Sequence, residues 1–153
     1  MSLAVYAPVT GTVIGLPAVP DPVFAQAMVG PGTAIDPDRV ESEALSPIAG
    51  RIVKLHPHAF VVVDDSSGAE RGVLVHLGID TVQLEGAGFE LLAAEGDVVT
   101  AGQPVVRWNP ADIEAGGRSP VCPVVALGAD AGDLADVLES GSVKSGDALL
   151  TWA

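Results

Sequence analysis

The chain has 153 residues, 48% of them hydrophobic but only 4% aromatic, so one core filled by Val, Ala, Leu and Ile fits within it. Twenty acidic side chains against seven basic ones give a net charge of -13, which repels phosphate backbones and anionic lipid and argues against nucleic acid or a membrane surface as partner. The single cysteine, Cys122, excludes an internal disulfide and a thiolate metal cluster, and no run approaches the ~20 apolar residues of a spanning helix.

The first residues lack a basic region followed by an apolar stretch, so no signal peptide is expected. Residues 7–16, Ala-Pro-Val-Thr-Gly-Thr-Val-Ile-Gly-Leu, are echoed by residues 46–55, Ser-Pro-Ile-Ala-Gly-Arg-Ile-Val-Lys-Leu. Pro followed by Gly predicts a turn, and the β-branched residues after it predict a strand. Asp21-Pro22 ahead of Val23-Phe24-Ala25-Gln26-Ala27-Met28 predicts a capped helical turn. Strands are expected at 59–63, 72–76 and 105–108; Phe60-Val61-Val62-Val63 reads as buried on both faces. Asn109-Pro110 starts a second short helix that stops at Gly116, and 128–140 reads as a loop with a helical turn. A second echo joins Val99-Thr-Ala-Gly102-Gln-Pro-Val105 to Val143-Lys-Ser-Gly146-Asp-Ala-Leu149. Repeated strand–turn units predict an all-β, internally duplicated antiparallel sandwich or barrel with short helical turns, in a single domain spanning 1–153. Cys122, in an apolar run flanked by prolines, reads as a buried inert thiol.

The three histidines fall between residues 56 and 76. Histidine serves reversible phosphoryl acceptance, proton transfer and zinc binding, so the cluster is the natural site candidate. His56 and His58 flank Pro57 in a turn that solvent alone would explain. His76 ends the apolar run Val73-Leu74-Val75, with Gly78 two residues on. On a rigid strand end its ring is held in place, and Gly78 permits close backbone approach, where nearby carbonyls can fix the ring tautomer.

The stretch Val75-His76-Leu77-Gly78-Ile79-Asp80-Thr81-Val82 resembles the active-site signature of the glucose-type enzyme IIA family of the bacterial phosphoenolpyruvate-dependent sugar phosphotransferase system. The likeness extends through Val19–Ala25, Met28–Ile35, Pro47–Val53, His58-Ala59-Phe60, Glu85–Phe89 and Gly141–Gly146, and so covers nearly the whole chain. It implies a flattened antiparallel β-sandwich, the duplicated hybrid motif. It also implies a cytoplasmic phosphocarrier that needs no cofactor. His76 would take the phosphoryl group on Nε2 and His58 would hydrogen-bond its oxygens. The donor would be the phosphohistidine of HPr, and the acceptor a cysteine of an enzyme IIB domain of a sugar permease; regulatory targets read by phosphorylation state would be further partners. Pro22, Val23, Phe24, Val29, Leu74 and Val82 would form a docking ring, supported by Gly78, with Asp21 and Asp80 facing basic groups on the donor. The chain's ends, near the expected fold boundaries, favour a free subunit. One departure stands out: His56 occupies a position where the family often has Thr, in a loop that reads as about two residues short.

Three other readings compete, one of them a pure regulatory binding protein whose acidic, partly apolar docking face would serve both roles, regulation and phosphoryl transfer. His76-x-x-x-Asp80 and His56-x-His58 supply the ligand types of a LytM-type zinc peptidase, with His58 and His76 at its centre, although in reversed chain order. Glu95–Pro104 is similar to the closing strands of biotinyl or lipoyl carriers, but Lys54 and Lys144, the only lysines, lie outside the hairpin such a carrier modifies.

Overall fold

The computed structural model describes residues 2–66 and 68–153. The Pro–Gly echoes become matching pieces of backbone. Gly11 and Gly50 open the strands Gly11–Val13 and Gly50–His56. A Cβ on either would lie 2.2 Å from a carbonyl oxygen of the neighbouring strand, that of Asp36 or Val63. Only glycine tolerates so close an approach.

The hydrogen bonds that join the two echoes are reciprocal. Tyr6 N–H donates to Pro47 O and Leu45 N–H to Pro8 O, both at 2.9 Å. Ala7 N–H donates to Asp147 O, and Ser46 N–H to Gln103 O, both at 2.8 Å. Gly146 N–H returns to Ala7 O and Gly102 N–H to Ser46 O, again both at 2.8 Å. Gly102 and Gly146 both sit at positive φ, 89° and 93°, in the turns the second echo predicts. The chain is thus folded as two halves related by an approximate two-fold axis.

The sheets obey the same symmetry. Among the described residues an eight-stranded sheet runs Ser142–Val143, Gly11–Val13, Gly32–Pro37, Cys122–Ala126, Arg71–His76, Ala59–Asp64, Gly50–His56, Val98–Val99. Its first four strands correspond to its last four, read from the opposite edge. Leu3–Tyr6, Ala148–Trp152 and Leu134–Ala135 form a three-stranded sheet, and Ser42–Leu45, Pro104–Trp108 and Phe89–Leu91 form its counterpart. Every pairing is antiparallel.

The main core draws on all three sheets, with Trp108, Phe60, Ile35, Ile52 and Leu149 fully buried. Each such side chain stabilises the fold by about 1.5–3 kcal/mol through removal from water. Trp108 stacks on Phe89 with ring centroids 6.1 Å apart, which fills the space that a chain poor in aromatics leaves. The strand Ala59–Asp64 is less covered than its apolar run suggests. Phe60 and Val62 are buried while Val61 and Val63 are only half-buried, because the outer face of that strand is only partly roofed. Helices α1 (Pro22–Ala25) and α2 (Pro110–Ala115) start after Asp21 and Asn109, whose side chains accept from Val23 N–H and Ala111 N–H. In 128–140 the helical turn is Ala131–Asp133, and Leu134–Ala135 adds a short strand that its Ala- and Asp-rich sequence conceals. Cys122 is fully buried, and burial pushes its thiol pKa well up.

Candidate functional site

Period-two alternation aims the central histidine. In Arg71–His76 the side chains of Val73 and Val75 enter the main core. Leu74 points the other way, into a smaller apolar cluster of Leu16, Val19, Phe24, Ala34, Ile79, Val121 and Val125. His76 follows Leu74 by two residues, so it stands on that second face at the strand's end. Helix α1 lies over the same face, and the buried Phe24 ring sits 5.3 Å from the His76 ring, centroid to centroid.

The His58 ring meets the His76 ring edge-on, at 5.3 Å. His58 occupies the Pro57-His58 turn between Gly50–His56 and Ala59–Asp64, and Ala59 pairs directly with His76. Leu77 N–H donates to His58 O at 2.7 Å, tying that turn to the segment after His76.

The segment after His76 is fixed from several sides. Gly78 adopts φ +82°, and a Cβ there would lie 2.7 Å from Thr81 Cγ2 and 3.0 Å from Ser119 O. This conformation turns the Gly78 carbonyl back onto the ring, where it accepts from His76 Nδ1–H at 2.5 Å. A carbonyl can only accept, so Nδ1 carries the proton and Nε2 keeps a free lone pair. The buried Thr81 hydroxyl donates to Leu77 O at 2.7 Å, and Ile79 N–H donates to Ser119 O at 2.8 Å.

Electrostatics keep both rings neutral near pH 7. Burial lowers the pKa of His76, against the opposing pull of the Gly78 hydrogen bond and of Asp21 and Asp80. Burial lowers His58 to about 4, helped by His76 and then His56. A neutral His76 with a free Nε2 is a nucleophile, and a neutral His58 beside it still has one N–H to donate.

The predicted docking residues divide into two layers. Val23 and Val82 stand 42% and 59% exposed, and Met28, which sequence reasoning left out of the ring, is 68% exposed. Pro22 and Asp80 are also exposed, and Asp21 is half-buried while capping α1. Phe24, Val29 and Leu74 pack in the smaller cluster, and Gly78 is buried behind the ring. In that lower layer Phe24 is buried against the His76 ring, while Val29 and Leu74 are half-buried and keep part of their surface open. His56 is exposed and stacks on His58 at 5.6 Å. Among the described residues no three His, Cys, Asp or Glu side chains are arranged to hold one metal ion, so the zinc-peptidase ligand set is not assembled. Sequence reasoning missed Thr81 as a buried brace and Ser119 as a backbone acceptor. The burial of Thr81 shows only in the fold, and Ser119 is remote in the chain.

Comparison with known proteins points to one family. The family model for the phosphoenolpyruvate-dependent sugar phosphotransferase system, EIIA 1, matches residues 3–131. The glucose-specific EIIA component of the phosphotransferase system from Staphylococcus aureus strain Mu50 is 41% identical over 147 residues, 95% of this chain and 86% of that protein. The component of the same name from Staphylococcus epidermidis strain RP62A is 36% identical over 148 residues, 95% of this chain and 86% of that one. The solved structure of glucose permease IIA from Mycoplasma capricolum superposes with a TM-score of 0.87 at 32% identity, covering 99% of this chain and 96% of that one.

Proposed function

The chain belongs to the EIIA 1 family of the phosphoenolpyruvate-dependent sugar phosphotransferase system, and from that premise we propose that it carries phosphoryl groups on Nε2 of His76. The observation that carries this reading is the hydrogen bond from His76 Nδ1–H to Gly78 O. It holds the proton on the inner nitrogen and leaves the outer one free to attack.

In the accepting step the Nε2 lone pair attacks the phosphorus of the HPr phosphohistidine. A new P–N bond forms at His76, the donor's P–N bond breaks, and its electron pair returns to the donor ring. No proton has to leave His76, because Nδ1–H stays on Gly78 O throughout, and the positive charge that develops on the ring is eased by that carbonyl and by Asp21 and Asp80. In the passing step a cysteine thiolate of an enzyme IIB domain attacks the same phosphorus. A P–S bond forms, the P–N bond breaks, and Nε2 recovers its lone pair. Such transfers need in-line positioning and hydrogen-bond donors more than covalent help. His58, edge-on to His76, supplies an N–H to the phosphoryl oxygens.

Direct transfer between proteins requires that the histidine be reachable, and His76 and His58 are both half-buried and not enclosed in the core. Val23, Val82 and Met28 are exposed apolar side chains; gathered under a docked partner, they would exclude water from the transfer. The setting is the cytoplasm, where donor and acceptor meet; among the described residues no helix is long and apolar enough to cross a membrane. The test is reconstitution of sugar phosphorylation from phosphoenolpyruvate with enzyme I, HPr and membranes bearing the permease. Sugar phosphate should form only when this chain is added; formation at the same rate without it would reject the assignment.

A further inference from the structure

The histidines form a row. His76 meets His58 edge-on at 5.3 Å, and His56 lies on His58 at 5.6 Å with an interplanar angle of only 20°. Phosphoryl transfer at His76 uses the first two rings and leaves the third without a task. His56 is the last residue of the strand Gly50–His56 and pairs with Ala59, which in turn pairs with His76. Its backbone is therefore anchored in the sheet, whereas His58 sits in the two-residue turn, held there through its carbonyl by Leu77 N–H. Among the described residues, the rings against His58 are those of its two fellow histidines.

We propose that His56 is a positioning residue for phosphoryl transfer: stacked on His58, it holds that ring edge-on to His76, so that the His58 N–H is already aimed when a phosphoryl group arrives. This rests on the reading of His76 as the phosphoryl acceptor. The consequence is kinetic. An N–H that must find its orientation in each turnover contributes less than one held in place beforehand, and a small misplacement of a donor costs rate. Stacking needs a flat ring and not an imidazole, so a phenyl ring at position 56 should do the same work while lacking any proton to give or take. His56 is exposed, and its replacement removes no core contact.

The experiment is rapid-quench transfer from phosphorylated HPr to the wild type, His56→Ala, His56→Leu and His56→Phe. Alanine and leucine variants should transfer roughly five- to tenfold more slowly at saturating donor, with KM for the donor unchanged. His56→Phe should recover to within about twofold of the wild type. An alanine variant as fast as the wild type overturns the proposal, and so does a phenylalanine variant as slow as alanine. A rise in KM alone would make His56 a donor-docking contact and would overturn it too. Failure of the underlying reading looks different: the wild type itself would take up no phosphoryl group on His76.

Discussion

The two halves of the eight-stranded sheet share one backbone plan and differ at one decisive position. Ala59 pairs with His76 in one half, and Gly32 pairs with Val125 in the other. The register that matches Gly11 to Gly50 also matches Gly32 to Ala59, so Val125 is the counterpart of His76. Val125 is fully buried in the small apolar cluster beneath the site. By the same register Pro31 stands where His58 stands. The connections differ as well: His58's half crosses between paired strands with Pro57-His58, and the other half uses the long segment 14–31, which carries Phe24 onto His76. Duplication supplied the frame, and the site arose where the connection of one half covers the strand end of the other.

Making the two halves alike should abolish function. His76→Val copies Val125 into the other half and should end phosphoryl acceptance entirely, while far-UV circular dichroism stays unchanged. His58→Ala should still accept one phosphoryl group but transfer it about 10²-fold more slowly in quench-flow kinetics. Gly78→Val forces a Cβ against Thr81 and Ser119 at a positive φ; urea titration should show a loss of about 2–3 kcal/mol, together with slower acceptance.

The symmetric glycines sharpen the comparison in a different way. Gly11→Ala and Gly50→Ala each set a Cβ against a carbonyl oxygen and should cost similar stability, about 2–3 kcal/mol apiece. Unequal losses would show that one half governs folding. The smallest effect concerns pH. His58 titrates near 6.5 when unfolded and near about 4 when folded, so the folded state binds fewer protons between those values. The associated stability is fully present above pH 6.5 and is lost as pH falls toward 4. Partial exposure of the ring keeps the loss small, and His58→Ala should show less of it in chemical denaturation at pH 5 and 7.

Much of this was legible in the sequence, for reasons that lie in particular residues. The duplication could be read because Gly11 and Gly50 answer a close backbone approach that no side chain fits, and Gly102 and Gly146 mark the same positive-φ turn in each half. For His76 the apolar strand and Gly78 offered a candidate, and the resemblance of the stretch through Val82 singled it out; the Gly78 carbonyl lies at its Nδ1. The two layers beneath and around the ring could not be read, since Val23 and Phe24 are adjacent and equally apolar, and only their burial separates them. Nor could the bracing by Ser119, which depends on how the loop after α2 folds back. The stacking of His56 on His58 was open for a related reason: a His-Pro-His turn reads the same whether its rings meet or point apart.

The central claim is that one nitrogen of one histidine accepts the phosphoryl group. Purified protein would be incubated with phosphoenolpyruvate, enzyme I and HPr, and its intact mass taken before and after brief acid treatment. One acid-labile phosphoryl group on the wild type, and none on His76→Val, is the predicted result. A phosphoryl group on the His76→Val protein, or none on the wild type with a demonstrably active donor, would contradict it.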